Sequence, residues 1–192
     1  MSIDKRQLLI DTALNLFYQQ GINSVGINEV LTTSGVAKKT LYNHFNSKEE
    51  LIIAALDSRH QHFLTWLDNE LKLVPLGQPA DLTFAVTVRL FNALTAWFNN
   101  RVAGLSPFNG CFFINATAEC SRLYPAVRAS CQRHKQQVRQ LLQQHLQSQD
   151  QQLLNLLCTL KEGAIVSAQV HQDLQAAEKC IPIMQTYLST QR

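Results

Sequence analysis

Residues 27–45 read INEVLTTSGVAKKTLYNHF, and this stretch decides the fold. Ile27, Val30 and Leu31 fall at helical spacing, and Leu41 and Phe45 repeat that spacing in a second short segment. Gly35 lies between them, where a chain reversal favours a residue that accepts positive φ. Two apolar faces this short must pack on a neighbour, which leaves the other side of the second helix open. That side carries Lys38, Lys39, Thr40, Asn43 and His44, donors suited to phosphates and base edges. The spacing predicts a helix-turn-helix with the second helix as reader.

The flanks support this reading. Lys5 to Gln20 has Leu9, Ala13, Leu16 and Phe17 on one face, and Gly21 supplies a stop, so a first helix is expected to floor the motif. Ser47 with Glu50 three residues on predicts a capping box that opens a long helix, reaching to about Leu73. The free amides of that helix start, with Lys48, form a phosphate-binding end. Pro75-Leu76-Gly77-Gln78-Pro79 then breaks the helix.

Further on the chain reads as helix after helix. Asp81 is the expected cap of one that runs to about Asn100, and Cys111 to Arg122 reads as a short buried one. Pro125 opens another to about Gln147, and Asp150 to His171 follows with Leu153, Leu154, Leu157 and Leu160 on its apolar side. Asp173 is expected to cap the last, to about Leu188, with Pro182 kinking it from inside. No strand-length alternation, repeat or low-complexity tract interrupts this all-α pattern.

Composition excludes several classes. Lys and Arg total 17 against 14 Asp and Glu, and five basic residues face five acidic ones through Glu50, so an argument for nucleic acid rests on placement, not sum. No apolar run approaches the about 20 residues that span a bilayer, and the first residues lack a signal-peptide core. Five cysteines without a CxxC pair suit a reducing compartment, so the expected location is cytoplasmic. The six histidines lack metal-ligand spacing, and no P-loop, dinucleotide fingerprint or nucleophile elbow occurs. Neither an enzyme nor a bound metal or cofactor is expected.

Gly35-Val36, Thr40-Leu41-Tyr42, His44-Phe45 and Lys48-Glu49-Glu50-Leu51 resemble the DNA-binding signature of TetR/AcrR-family transcriptional regulators, over roughly residues 5 to 52. The remainder resembles the family only in its all-helical layout. Ala37 stands where the family commonly has a serine cap, and Lys39 where a glycine is common, which adds a basic arm. The resemblance implies an N-terminal three-helix helix-turn-helix domain, residues 1–50, joined to a larger helical ligand-binding and dimerisation domain, residues 51–192. It implies that Tyr42, His44 and Lys48 hold phosphates, while Lys38, Lys39, Thr40 and Asn43 approach bases.

The larger part offers two candidate constellations. Phe84, Phe91, Trp97 and Phe98 form an aromatic helix, and Cys111, Asn115 and Glu119, four apart, align thiol, amide and carboxylate. Either this polar line and the aromatics contact a small-molecule effector, or the line tethers neighbouring helices, with Arg122 in reach of Glu119. Leu160, Gly163, Ala164, Ser167 and Ala168 make a small-residue face for close helix approach, within one subunit or across a dimer; the resemblance favours the dimer. The expected protein is a homodimeric repressor that leaves a palindromic double-stranded operator when an effector shifts the helix Ser47–Leu73. The alternatives are a thiol-based redox or electrophile sensor acting through Cys111, and a non-transcriptional DNA-binding interaction protein.

Overall fold

Asp4 starts the first helix by accepting the Arg6 and Gln7 amides on its carboxylate, at 2.9 and 3.4 Å, which satisfies donors that a helix start leaves open. In this computed structural model, which describes residues 4–74, 79–120, 122–146 and 148–190, helices α1 (Lys5–Gln20), α2 (Ile27–Ser34), α3 (Lys38–His44) and α4 (Lys48–Lys72) follow in turn. Then come α5 (Pro79–Phe98), α6 (Phe112–Cys120), α7 (Pro125–Leu146), α8 (Gln151–Val170) and α9 (Cys180–Thr190). Among the described residues these nine helices are the only regular elements, and the architecture is all-α.

Compactness divides the chain into two units that are each discontinuous in sequence. Unit 1 comprises residues 1–61 and 111–135; unit 2 comprises 62–110 and 136–192. This division differs from one drawn after Glu50, because α6 and the start of α7 fold with the helix-turn-helix. Unit 1 is centred on α1, which packs on α2 and α3 and buries Leu9, Ile10, Ala13, Leu14, Phe17 and Tyr18. The Gly21 N–H closes α1 on the Phe17 carbonyl at 3.0 Å, and Ile22 is fully buried beyond it.

In unit 2, α5 packs on α8 and α9. A chain of ring contacts joins Phe63, Trp66, Trp97, Phe98 and Phe108, with centroids 4.9–6.2 Å apart. The Trp97 indole N–H donates to the Leu105 carbonyl at 3.3 Å, so the largest buried side chain is also polar-satisfied. Arg89 pairs with Glu70 at 2.5 Å and ties α5 to the end of α4. Asp150 caps α8 as expected, accepting the Gln152 and Leu153 amides.

Several expectations are corrected. Segment 75–78, read as a helix-breaking loop, lies outside the described residues, as does the side chain of Asp81; α5 begins two residues before it, at Pro79. Asp173 does not open the last helix. It accepts the Gln175 amide and pairs with Lys179 in a run of turns, and α9 starts only at Cys180. Pro182 therefore falls in the first turn of α9, where its missing N–H costs nothing, and it does not kink the helix. Ala164 and Ala168 are buried inside this chain, so they belong to its own core and present no surface to a second subunit. Finally, α8 is 20 residues long with a window of mean hydropathy 1.2, enough by length and composition to cross a membrane, which the sequence reading did not find. Its Leu153, Leu154, Leu157, Ala164, Ile165 and Ala168 are instead buried in the core of unit 2.

Candidate nucleic-acid interface and effector residues

The reading helix is positioned by its inner face. Leu41 is fully buried and Phe45, just past the helix end, nearly so, while Val36 closes the turn beneath them. Gly35 adopts the left-handed conformation at φ 67° and donates its N–H to the Leu31 carbonyl at 2.9 Å, so the turn needs a residue without a Cβ penalty. Ala37 opens α3 without a side-chain cap. With the inner face so held, Lys38, Lys39, Tyr42, Asn43 and His44 are exposed, Tyr42 to 47%, and Thr40 is half-buried. Arg6 of α1 lies over the Phe45 ring, 5.3 Å from its centroid, which adds a cation beside the same surface.

Lys48 departs from its expected role. Its ammonium donates to the Ile22 carbonyl at 2.6 Å and lies 5.8 Å from the Phe17 ring centroid, so it turns inward and ties α4 to the end of α1. The Ser47 hydroxyl accepts the Glu50 amide at 3.2 Å, as a capping box requires. Glu50 reaches back to the Asn46 amide at 2.8 Å, one residue before the reciprocal partner, and these Asn46 donors hold its carboxyl below the usual range.

The polar line on α6 is a tether at its far end. The Glu119 carboxylate accepts the Asn23 N–H at 2.9 Å, and its carbonyl accepts the Asn23 side-chain amide at 3.1 Å. Glu119 thus joins α6 to the α1–α2 loop. Cys111, buried just ahead of α6, receives a hydrogen bond from Lys135 at 3.4 Å. Cys111, Asn115 and Glu119 lie in unit 1, whereas Phe84, Phe91, Trp97 and Phe98 lie in unit 2, so the two expected halves of an effector site belong to different units. Phe91, Trp97 and Phe98 are core residues there, and Phe84 is half-buried. On α8, Leu160 and Ser167 are half-buried and Gly163 is exposed, beside Val166 and Val170 at 42% and 66% exposure.

A family model described as bacterial regulatory proteins, tetR family, matches residues 9–55, from within α1 through α2 and α3 to the start of α4. ArpR of Pseudomonas putida, named a probable HTH-type transcriptional regulator, is 34% identical over 38% of this chain. Residues 9–55 carry the TetR-family segment. The match to ArpR spans only 37% of that protein's length. The HTH-type transcriptional repressor NemR of Escherichia coli matches more widely at lower identity, 23% over 97% of this chain and 95% of NemR. The crystal structure of reduced E. coli NemR superposes with a TM-score of 0.77, at 22% identity, covering 95% of this chain and 97% of that one. A TetR-family transcriptional regulator from Streptomyces coelicolor gives 0.79 at 24% identity, covering 97% and 95%. The relatives are named as transcriptional regulators, not as enzymes, and the structural matches establish the TetR-like fold along nearly the whole chain.

Sequence reading missed one buried constellation. The Nδ1 atoms of His60 on α4 and His134 on α7 lie 2.9 Å apart, both rings buried, and His134 stacks on Phe113 with centroids 3.5 Å apart. Arg59, also buried, has its guanidinium 4.5 Å from the Tyr18 ring centroid, and burial pushes its pKa down. The histidines are separated by 74 residues, and nothing in either local pattern points to the other.

Proposed function

We propose that this chain is a transcriptional repressor that binds a palindromic operator as a homodimer in the cytoplasm and is released by a small-molecule effector. The observation that carries the reading is the exposed face of α3, where Lys38, Lys39, Tyr42, Asn43 and His44 project from a helix whose inner side is locked by Leu41 and Phe45. Side chains on such a face reach bases in the major groove and the phosphates beside it, and two copies about 34–36 Å apart fit successive turns of DNA. Lys39 is assigned to base recognition, with Lys38, Thr40 and Asn43; Tyr42 and His44 are assigned to phosphates. Residues 1–50 serve DNA binding and 51–192 serve effector binding and dimerisation, the latter through the exposed parts of α8 and α9 around Gly163, Val166, Val170 and Ile183. An effector that displaces α4, a continuous helix from Lys48 to Lys72, alters the spacing of the two α3 helices. The test is to incubate the protein with sheared DNA of its source genome and sequence what it retains. A recurring palindrome supports the reading; retention without sequence preference refutes it.

A second reading is favoured by the 3.4 Å contact of the Lys135 ammonium with the Cys111 sulfur. The contact sets a cation beside a buried sulfur, so Cys111 is a candidate trigger for release. A Cys111→Ser protein that leaves its operator in response to electrophiles as readily as wild type would refute this.

A further inference from the structure

We propose that Lys48 and Glu119 act on DNA binding from inside unit 1, as the two poles of a clamp on the Ile22–Asn23 peptide group, and that this clamp carries displacements of α6 to the reading helix. For its DNA readout the proposal rests on the repressor reading above.

The two residues meet one peptide group from opposite ends. The Lys48 ammonium donates to the Ile22 carbonyl at 2.6 Å, and the N–H of that same peptide, which belongs to Asn23, donates to the Glu119 carboxylate at 2.9 Å. The peptide is trans, so its carbonyl and N–H point in opposite directions. A cation therefore stands at the negative end of the peptide dipole and an anion at the positive end. Each bond polarises the peptide and strengthens the other, by about 10–30%. The Glu119 carbonyl takes a further bond from the Asn23 side chain at 3.1 Å, and the Phe17 ring lies 5.8 Å from the ammonium.

The clamped peptide stands where α1 gives way to the helix-turn-helix. Gly21 ends α1 at φ 89°, and a Cβ there would meet the Glu119 oxygens at 3.1 and 3.3 Å, so α6 comes up against bare backbone. Ile22 and Val25 are fully buried, and Gly26 then opens α2. Gln20 at the end of α1 also holds Glu29 of α2 at 3.0 Å. Through this short, buried connection a shift of the peptide reaches α2 and, past Gly35, the reading helix. Lys48 is the first residue of α4 and Glu119 lies in the last turn of α6, so one peptide group joins both helices to the α1–α2 connection.

Lys48 can serve DNA binding in two ways that leave different signatures. A lysine on a phosphate releases counterions, and its loss makes the slope of log affinity against log salt shallower by about 0.9. A lysine held on the Ile22 carbonyl leaves that slope unchanged, and its loss is felt through Glu119. Glu119 is accordingly a positioning residue for DNA reading. An effector that draws the end of α6 away from Asn23 weakens the hold of Lys48 on α1 in the same movement.

The test measures affinity of the full chain for the palindromic duplex that wild type retains, between about 50 and 200 mM salt. The variants are Lys48→Met, Glu119→Gln and the two combined. Each single change is expected to lower affinity about three- to tenfold, and the double variant by about the same factor instead of the product. The salt slope of Lys48→Met should equal that of wild type. A slope shallower by about 0.9 would put Lys48 on a phosphate and overturn the proposal, as would losses that multiply. Amide exchange without DNA supplies an independent readout. Lys48→Met should cost the Asn23 N–H about two- to fivefold protection beyond any change at Gly35, whose N–H bonds the Leu31 carbonyl. Equal loss at both amides, or none at Asn23, overturns the clamp. If Lys48→Met fails to fold, Lys48→Gln, which keeps a neutral donor, takes its place with the same expected slope. If wild type retains no palindrome, the repressor reading falls and exchange at Asn23 still decides the clamp.

Discussion

Replacing Glu119 asks directly whether the polar line on α6 is structural. Its carboxylate accepts the Asn23 N–H at 2.9 Å, and it lies so close to Gly21 that a Cβ there would meet its oxygens at 3.1 and 3.3 Å. A hydrogen bond to a charged group contributes about 1.5–3 kcal/mol. Water reaches this half-buried site and can replace the lost acceptor, so Glu119→Ala is expected to cost about 1–2 kcal/mol. Glu119→Gln keeps a neutral acceptor and should cost about half of that. Both tryptophans, Trp66 and Trp97, belong to unit 2, so their fluorescence reports the wrong part of the chain. The assay is amide hydrogen exchange, in which 1.4 kcal/mol corresponds to about a tenfold loss of protection. Asn23 and its neighbours Ile22 and Val25 should lose about five- to thirtyfold in Glu119→Ala. Unchanged protection with a lost response to effectors would refute the tether and return Glu119 to ligand contact.

Lys39→Ala should change the preferred half-site by about 1–3 kcal/mol at the contacted base pair, read by selection from random DNA; recovery of the wild-type motif at full strength would count against it. Ala168→Arg should unfold unit 2, because the residue is buried in the chain's own core, whereas Val170→Arg should leave the monomer folded and separate subunits in light scattering. Gly110→Ala and Gly104→Ala both place a side chain at positive φ, at about 1–2 kcal/mol, but only at Gly110 would the new Cβ collide with another side chain, Gln169. The atoms met there are the flexible end of Gln169, which can swing aside, so Gly110→Ala should lower the urea midpoint only slightly more than Gly104→Ala. Asp68, whose carboxyl is held below its ordinary range first by Lys72 and then by His145, stabilises the fold above the unfolded carboxyl value of about 3.9 and loses this as pH falls through its lower folded value. Asp68→Asn should flatten the acid limb of stability below about pH 4, by less than about 1 kcal/mol for so accessible a pair.

The parts of the molecule that were legible in the sequence are those built from near neighbours. Gly35, Leu41 and Phe45 specify turn and inner face within one short stretch, and the outer face follows by elimination. Asp150 likewise announces α8 through amides two and three residues on. The tether from Glu119 to Asn23 spans 96 residues, and the His60–His134 contact 74. Periodicity assigns a side chain to a face but does not say what will meet it. The small-residue face at Ala164 and Ala168 shows the limit plainly: it promised a close helix approach, and the approaching helices belong to the same chain. Lys48 was read from the free amides beside it, but the Ile22 carbonyl competes for its ammonium through the tertiary fold.

Unit 1 is assembled from two stretches of chain, and this orders events in time as well as space. A ribosome delivers residues 1–61 first and reaches Lys135 only after the whole of 62–110 has been made. At about 5–20 residues per second, the interval from Gln61 to Lys135 lasts about 4–15 seconds. Throughout it, Tyr18 lacks the Phe112 ring that it meets edge-on at 5.8 Å, and His60 lacks His134. A nascent reading helix therefore exists before the unit that steadies it is complete. Messages cut short before residue 111 would yield residues 1–61 without the 111–135 stretch that completes unit 1.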